Sequence, residues 1–177
     1  TSAARSERGV GVMVLIGIGA NLSSPRFGPP LAACAAAVEA LAASGLTIVG
    51  RSRWYSSLPV PPSAQPPYVN GVVRVATAED PAVLLRRLHR LEAGFGRRRR
   101  RRDEARVLDL DLLAYGERVS SAASEVVLPH PRMHQRAFVL KPLAELAPAW
   151  RHPVLGLTVG ELLAALPPGQ SAEPIEP

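Results

Sequence analysis

Two aspartates stand two residues apart in an apolar segment, and six consecutive arginines come shortly before them. Residues 97–113 read RRRRRRDEARVLDLDLL. If the apolar part forms a strand, Asp109 and Asp111 share one face, because strand side chains alternate between faces. Their Cα atoms would lie about 6.6 Å apart, and two carboxylates so close favour a bound cation. Such oxygen ligands favour Mg²⁺ shared with substrate phosphates, and the polar outer face of an edge strand is the alternative.

The arginine run, Arg97–Arg102, allows several interpretations. A solvated charge run is usual for such a stretch, and nucleic-acid binding is the usual functional interpretation. Only 5% of the residues are aromatic, too few for a platform that stacks single-stranded bases, and no helix-turn-helix or zinc pattern is present. Arginines beside a carboxylate pair suit a nucleoside triphosphate better, because they hold phosphate oxygens while the carboxylates hold the metal. A nucleic-acid-binding module remains the alternative.

Other polar residues have types that suit a nucleotide or a flat heterocycle. His130 stands between two prolines in LPHPRMHQRAFVL, which suits a phosphate contact, with an ordinary surface histidine as the alternative. Tyr68 and Asn70 lie two apart on a predicted strand and offer an aromatic face and a paired donor and acceptor. An ordinary half-buried strand is the alternative there. A dinucleotide fingerprint is excluded at IGIGANL, because Leu22 stands where the third glycine is needed, and no Walker-type loop occurs.

The strands that position these residues are predicted from apolar and β-branched runs. They are expected at residues 12–18, 46–56, 68–77 and 107–115, with a short fifth candidate at 126–128. The segment between the second and third strands holds five prolines from Pro59 to Pro67. It is therefore predicted to be a long surface loop. Loops of this length either carry function or are disordered.

Four helices are predicted from periodicity and end signals. The first begins at Pro30 and ends before Gly45, and the second has Asp80 as its cap and Pro81 in its first turn. The third covers residues 133–147 and is interrupted by Pro142, and the fourth follows a capping box at 158–161 and ends at Pro167. Strands and helices mix without strict βαβ alternation. This order predicts an α+β fold on a mostly antiparallel sheet.

Length and composition are those of one folded domain. The chain has 177 residues, of which 47% are hydrophobic, enough to bury a core. The net charge of +6, carried almost entirely by arginine, favours an anionic partner. Cys34 is the only cysteine, which excludes an intrachain disulfide and predicts a reduced, cytoplasmic setting, and no apolar run has transmembrane length. We expect a loose leader over residues 1–11, one domain over 12–167 and a frayed tail over 168–177.

In this order, the motifs resemble those of the 6-hydroxymethyl-7,8-dihydropterin pyrophosphokinases of folate biosynthesis. The matching pieces are IGIGANL, WYSSLPV, QPPYVNGVVRVAT, HRLEAGFGRRR, RVLDLDLLAYG and LPHPRMHQRAFVLKPLAELAP, collinear from about Val12 to Pro148. The resemblance implies a three-layer α/β/α sandwich, ferredoxin-like in topology. It implies transfer of pyrophosphate from ATP to the pterin hydroxymethyl group, which gives AMP and the pterin diphosphate. It also implies two Mg²⁺ ions, a monomer, and neither a nucleic-acid nor a membrane partner.

The same resemblance implies roles for individual residues. The catalytic residues are Arg97, Arg106, Asp109 and Asp111, of which the two aspartates hold the metal. The residues that contact ATP are His89, Glu92, Arg99, Arg106, Leu112, His130 and Arg136. The residues that contact the pterin are Ser57, Leu58, Val60, Tyr68, Asn70, Asp109 and Phe138, with Tyr68 and Phe138 sandwiching the ring.

The chain also departs from the family's pattern. The family has a tryptophan and a proline in the loop before the arginine that Arg106 matches, and the segment RRDEAR has neither. His89 stands where a glutamine is usual. A relative that binds ATP without turnover is a third interpretation, and the intact set of Asp109, Asp111, His130 and Arg136 argues against it.

Overall fold

The computed structural model of the chain describes residues 12–59, 61–96, 107–121 and 123–176. Within these ranges, helices and strands are mixed along the chain without strict alternation. The elements are β1 (Val14–Ala20), α1 (Pro30–Ala43), β2 (Thr47–Arg51), β3 (Tyr55–Ser57), β4 (Tyr68–Ala76), α2 (Pro81–Gly94), β5 (Asp109–Tyr115), a 3₁₀ turn (Met133–Gln135), α3 (Ala137–Leu146), α4 (Val159–Ala164) and β6 (Glu173–Pro174).

The strands form one antiparallel sheet with β1 and β4 at its centre. The sheet runs in the order β5-β1-β4-β3-β6, and β2 pairs with β4 beside β3. All strand pairs in the described parts of the chain are antiparallel. The succession β1–α1–β2/β3–β4–α2–β5 is the split βαββαβ arrangement. The predicted α+β class with a ferredoxin-like antiparallel sheet is therefore confirmed.

Helices cover both faces of the sheet, as predicted for a three-layer sandwich. Ile16 and Ile18 of β1 pack with the apolar side chains of α1 and α2 in one buried cluster. Leu15, whose side chain points to the opposite face, packs in a second cluster with α3 and α4. The central strand therefore contributes to two cores, and this explains why β1 is an almost continuous apolar run. No helix in the described ranges is both long and apolar enough to cross a bilayer.

The strand predicted at 46–56 is two strands, β2 and β3, separated at residues 52–54. Ser52 follows the last residue of β2. Its amide donates to the Val72 carbonyl of β4 over 2.9 Å, and its Oγ, in place of a backbone carbonyl, accepts a hydrogen bond of 3.0 Å from the Val72 amide. The Trp54 ring then lies across Gly71 of β4, where a Cβ would be only 2.6 Å from two ring atoms. A side chain at position 71 would expel this ring, so the glycine permits the crossing. The strand predicted at 126–128 does not form.

The third predicted helix breaks at Arg136, and Pro142 lies inside α3. Arg136 is extended, with φ −120° and ψ 111°, and separates the 3₁₀ turn from α3. The predicted interruption at Pro142 is therefore wrong, because its neighbours pack well enough for the helix to tolerate one missing amide hydrogen bond. Asp80 is the residue before α2 but makes no side-chain capping bond. The predicted capping box of α4 is present with both of its bonds.

The frayed tail predicted after residue 167 is wrong for residues 172–175. Glu173 pairs with Ser56 and Pro174 with Tyr55, so β6 forms the edge of the sheet beyond β3. Ala172 is fully buried, and the Ile175 amide donates to the Trp54 carbonyl over 2.8 Å. Long-range pairing of this kind leaves no local signal in a proline-rich segment, and this explains why the sequence failed to predict it.

Candidate active site

The two aspartates of β5 face a part of the sheet where β1 has no side chains. In the antiparallel pairing of β1 with β5, Asp109 lies opposite Gly19 and Asp111 lies opposite Gly17. Directly opposite residues of an antiparallel pair point to one face. The glycines therefore place no side chain of β1 beside either carboxylate, and the face that carries α3 is open next to Asp109 and Asp111. Leu110 points into the core on the other face. The predicted alternation of this strand is confirmed.

This open space is part of a cavity of about 410 Å³, hereafter cavity 1. Its floor is the sheet, one wall is the proline loop that follows β3, and the opposite wall is the start of α3. Of the site residues predicted from the sequence, those that line this cavity are Leu58, Tyr68, Asn70, Asp109, Asp111, Arg136 and Phe138. Apolar walls with a few convergent polar groups are typical of a small-molecule site.

Asn70 is fixed in cavity 1 by two neighbours. Its Oδ1 accepts a hydrogen bond of 2.7 Å from the Ser57 hydroxyl. Its Nδ2 lies over Gly19, at 2.9 Å from the position that a Cβ would occupy there. Asn70 is buried, with 7% of its surface exposed. Ser57 is buried and does not line the cavity, so in this structure it orients Asn70.

Tyr68 is held from the proline loop by Gln65. The Tyr68 hydroxyl donates to Gln65 Oε1 over 3.2 Å, and Asn21 Nδ2 lies 3.3 Å from the same oxygen. Asn21 also donates to the Pro66 carbonyl over 3.2 Å, so the end of β1 anchors the loop. Neither Asn21 nor Gln65 was predicted. The sequence shows Asn21 as a polar residue directly after an apolar strand, which was the available signal. Its hydrogen-bond partners, however, lie 44 and 45 residues away.

Arg136 and Phe138 enter cavity 1 together at the start of α3. The Arg136 guanidinium carbon lies 5.3 Å from the centroid of the Phe138 ring, a cation–π distance. Arg132, which was not predicted, also lines this wall. The cavity thus combines two carboxylates with two guanidinium groups, a charge pattern that suits a bound phosphate with a metal ion.

A second cavity of about 210 Å³, hereafter cavity 2, lies along the outer edge of β5. It is bounded by α2 on one side and by the segment before the 3₁₀ turn on the other. The predicted ATP contacts that line it are His89, Glu92, Leu112 and His130, and Asp111 lines it as well. Four predicted residues that are far apart in the sequence are thus brought together. Arg136, the remaining predicted ATP contact in the described ranges, lines cavity 1 instead.

Glu92 connects α2 to the edge strand. Its Oε1 accepts a hydrogen bond of 2.9 Å from the Leu110 amide, and only 2% of the residue is exposed. An edge strand presents unpaired backbone amides, and a buried carboxylate is a strong acceptor for one of them. The position of Glu92 in cavity 2 is therefore fixed by the fold.

His130 lines cavity 2 and is neutral at physiological pH. Burial, together with the positive charge of Arg136, lowers its pKa to about 4, and the negative charge of Asp109 only partly opposes this shift. Its Nδ1 accepts a hydrogen bond of 3.2 Å from the Arg132 amide, which leaves the proton on Nε2. A neutral imidazole with Nε2–H can donate to a phosphate oxygen in cavity 2.

Several predicted site residues lie outside the described residues. They are Val60, Arg97, Arg99 and Arg106, so their predicted roles stay predictions. The same holds for the whole arginine run and for the shortened loop RRDEAR.

The carboxylates suit Mg²⁺ that is shared with a substrate. No group of three or more His, Cys, Asp or Glu side chains that could hold a metal occurs among the described residues. Asp109 and Asp111 therefore do not belong to a closed protein cage in this part of the chain. Mg²⁺ typically takes one or two carboxylates and completes its shell with substrate phosphates and water. Cavity 1, which both aspartates line, provides room for those ligands.

Comparison with known proteins identifies relatives across most of the chain. Residues 15–148 match the model of the 7,8-dihydro-6-hydroxymethylpterin-pyrophosphokinase family. The chain is similar to 2-amino-4-hydroxy-6-hydroxymethyldihydropteridine pyrophosphokinases from three bacteria. Identity is 39% to that of Synechocystis, over 84% of this chain and 73% of the relative. It is 42% to that of Methylorubrum extorquens, over 86% and 92%, and 42% to that of Pseudomonas aeruginosa, over 87% and 91%.

Proposed function

The chain belongs to the 7,8-dihydro-6-hydroxymethylpterin-pyrophosphokinase family, and we propose that it carries out the family's reaction with the two cavities described above. In this reaction the diphosphoryl group of ATP moves to the hydroxymethyl oxygen of 6-hydroxymethyl-7,8-dihydropterin. The products are AMP and the pterin diphosphate, a step in folate synthesis. Cavity 1 takes the pterin, and cavity 2 takes the nucleotide.

The observation that carries this proposal is the position of Asp111. Asp111 lines both cavities, so a metal ion on its carboxylate would be close to a ligand in either one. Asp109 lines cavity 1 beside it. Transfer of a phosphoryl group between two substrates needs the donor and acceptor held close together around one charged centre.

The residues present fit two Mg²⁺ ions held by Asp109 and Asp111 together with the triphosphate. When bound, these ions neutralise phosphate charge and so favour attack on phosphorus. Arg136 and Arg132 add positive charge from the α3 side of cavity 1, and His130 donates a neutral hydrogen bond from its Nε2. Arg97, Arg99 and Arg106 are proposed to complete the phosphate contacts, on the strength of the resemblance alone.

The bonds and charges of the reaction balance within this site. The hydroxymethyl oxygen forms a bond to the β-phosphorus, the bond from that phosphorus to the α,β-bridging oxygen breaks, and AMP leaves with the electron pair. The hydroxyl proton passes to a carboxylate oxygen of Asp109 or Asp111, or to solvent. His130 does not take this proton, because its Nε2 already carries a proton and its Nδ1 accepts the Arg132 amide.

The acceptor is oriented by fixed groups in cavity 1. Tyr68 and Phe138 supply aromatic faces for a flat ring, and Asn70 supplies an amide at its edge. The hydrogen bond from Ser57 to Asn70 Oδ1 directs the amide nitrogen into the cavity. The Leu58 amide donates to Ser171 Oγ over 3.3 Å and is therefore already used. The Leu58 carbonyl is then the backbone group that we expect to contact the pterin.

The test is incubation of the protein with Mg²⁺, 6-hydroxymethyl-7,8-dihydropterin and ATP labelled at the α- or the γ-phosphorus. We expect equal amounts of AMP and pterin product, with the α-label in AMP and the γ-label in the pterin diphosphate. Formation of ADP with a pterin monophosphate, or no product above the enzyme-free background, would refute the proposal.

A further inference from the structure

The segment after α4 forms part of the wall of cavity 1. We call residues 170–175 the strap, because it crosses from the start of α3 to β3. Gln170 lines cavity 1, and the Ser171 hydroxyl oxygen accepts a hydrogen bond of 3.3 Å from the Leu58 amide. The strap therefore touches the α3 wall and the proline-loop wall at once. Both walls carry residues assigned to the pterin.

The side chain of Gln170 makes two hydrogen bonds to backbone atoms on either side of one residue. Its Nε2 donates to the Gln135 carbonyl over 2.7 Å, and its Oε1 accepts from the Ala137 amide over 2.9 Å. The residue between them is Arg136. One planar amide thus fixes the end of the 3₁₀ turn and the beginning of α3, on both sides of the extended residue.

Helix α3 lacks a side-chain cap from its own N-terminal residues. Arg136 stands at the N-cap position and makes no side-chain capping bond. A helix start leaves several amides without intrahelical acceptors. Gln170 supplies the missing acceptor from 33 residues further along the chain. The direction in which α3 leaves the turn, and with it the position of Phe138, therefore depends on Gln170.

We propose that Gln170 is a positioning residue for the pterin substrate, which acts by fixing Arg136 and Phe138 through the backbone of Gln135 and Ala137. This inference rests on the proposed function, since it assigns cavity 1 to the pterin. Arg136 and Phe138 both line cavity 1 and lie in cation–π contact. A shift of the backbone at the start of α3 would therefore displace both side chains, which we treat as one unit. Loss of the Gln170 bonds loosens that unit and weakens stacking on the ring.

The strap has other anchors that do not involve Gln170. Lys141 Nζ donates to the Ala172 carbonyl over 2.9 Å, and the Ile175 amide donates to the Trp54 carbonyl. Ala172 packs with Tyr55 and Ala137. A change at Gln170 therefore leaves the strap in place, and a change at Lys141 weakens the strap without touching the Gln170 bonds. The two positions form a matched pair.

The test compares Gln170→Met, which keeps the length of the side chain and removes both hydrogen bonds, with Lys141→Met. For Gln170→Met we expect the KM for the pterin to rise about tenfold, the effect of losing one or two neutral hydrogen bonds. We expect kcat to change less than about threefold, because the metal-binding carboxylates are untouched. For Lys141→Met we expect the KM for the pterin to stay within about twofold of the wild type.

Hydrogen exchange of the Ala137 amide gives a second readout that needs no turnover. It should become at least about tenfold faster in Gln170→Met and stay unchanged in Lys141→Met. If Gln170→Met does not fold, Gln170→Glu replaces it, because a carboxylate keeps the acceptor for Ala137 at a helix N-terminus. That variant keeps the acceptor but cannot donate to the Gln135 carbonyl, so exchange at Ala137 should stay slow while the KM for the pterin rises about threefold or more. An unchanged KM in this variant would count against the inference.

Either of two results would overturn the inference. One is an unchanged KM for the pterin in Gln170→Met, and the other is an equal rise in Gln170→Met and Lys141→Met, which would show that general anchoring of the strap is what matters. If the wild type forms no AMP, the proposed function fails independently. Direct titration of the pterin in the presence of Mg²⁺ and a non-hydrolysable ATP analogue then still tests Gln170.

Discussion

Asn70 and Gly19 are direct partners across the β1–β4 pair, and the Asn70 amide nitrogen fills the space that a side chain at position 19 would need. A Cβ built on Gly19 would lie 2.9 Å from Asn70 Nδ2. The glycine therefore sets the position of the amide that is proposed to read the pterin edge. This relationship explains the second glycine of IGIGANL without a nucleotide-binding loop.

Replacement of Gly19 by alanine should weaken pterin binding selectively. The added methyl group pushes Asn70 away from Gly19 and misplaces its amide, so we expect the Kd for the pterin to rise about tenfold or more. The Kd for ATP should change less than about threefold, because cavity 2 lies on the other side of β5. Calorimetric or fluorescence titration of each ligand measures both values.

The comparison variant is Gly17→Ala, on the same strand and face. The three atoms nearest to its Cβ would all belong to the Leu113 side chain, at 3.4 to 3.5 Å, an ordinary contact. We expect it to raise the Kd for the pterin clearly less than Gly19→Ala does. Equal effects of the two alanines would contradict the assigned role of Gly19.

Glu92 is expected to have two separable roles. Glu92→Leu leaves the Leu110 amide without its acceptor in a buried position, so the free energy of unfolding should fall by about 1–3 kcal/mol. Glu92→Gln keeps an acceptor oxygen for that amide and removes only the charge. It should raise the KM for ATP while its unfolding free energy falls by less than in Glu92→Leu. Urea denaturation and steady-state kinetics of both variants distinguish the roles, and an unchanged KM for ATP in Glu92→Gln would remove the nucleotide role.

Stability should fall in acid partly because of His130. Its folded-state pKa of about 4 lies below the ordinary value of about 6.5. Between these values the unfolded chain binds a proton that the folded chain does not, so the free energy of unfolding decreases as the pH falls from 6.5 to 4. The contribution of this one group is at most about 3 kcal/mol.

The measurement is the difference in unfolding free energy between the wild type and His130→Gln, from urea denaturation at several pH values in this window. The wild type should lose more stability in acid than the variant. His152 also has a lowered pKa, caused by burial and by His134, and its effect is common to both proteins. Parallel pH dependences would show that His130 is not buried in its neutral form.

The sequence predicted best those features that depend on local periodicity. The alternation of the DLDLL segment placed Asp109 and Asp111 on one face, whereas Glu92 was predicted as an ATP contact only from the family resemblance. The segment after β3 was predicted as a long surface loop because its prolines exclude regular structure. The strand alternation and the loop were each inferred from residues within a few positions of one another.

The features that the sequence did not predict depend on distant partners. Gln170 caps α3 from 33 residues away, and Asn21 holds the proline loop from 44 residues away. Gln170 bonds to the backbone on both sides of Arg136, and this distant contact accompanies its extended conformation. No residue near Arg136 in the sequence indicates a break in the helix there. Such contacts become visible only when the topology brings the segments together.

The most direct test of the central claim is the rate of AMP formation by Asp111→Asn at saturating Mg²⁺, ATP and pterin. Asparagine keeps the size of the side chain and removes the charge that serves both cavities. We predict that kcat falls by at least about a hundredfold. AMP formation at a rate near that of the wild type would contradict the proposal that Asp111 holds the metal between the two substrates.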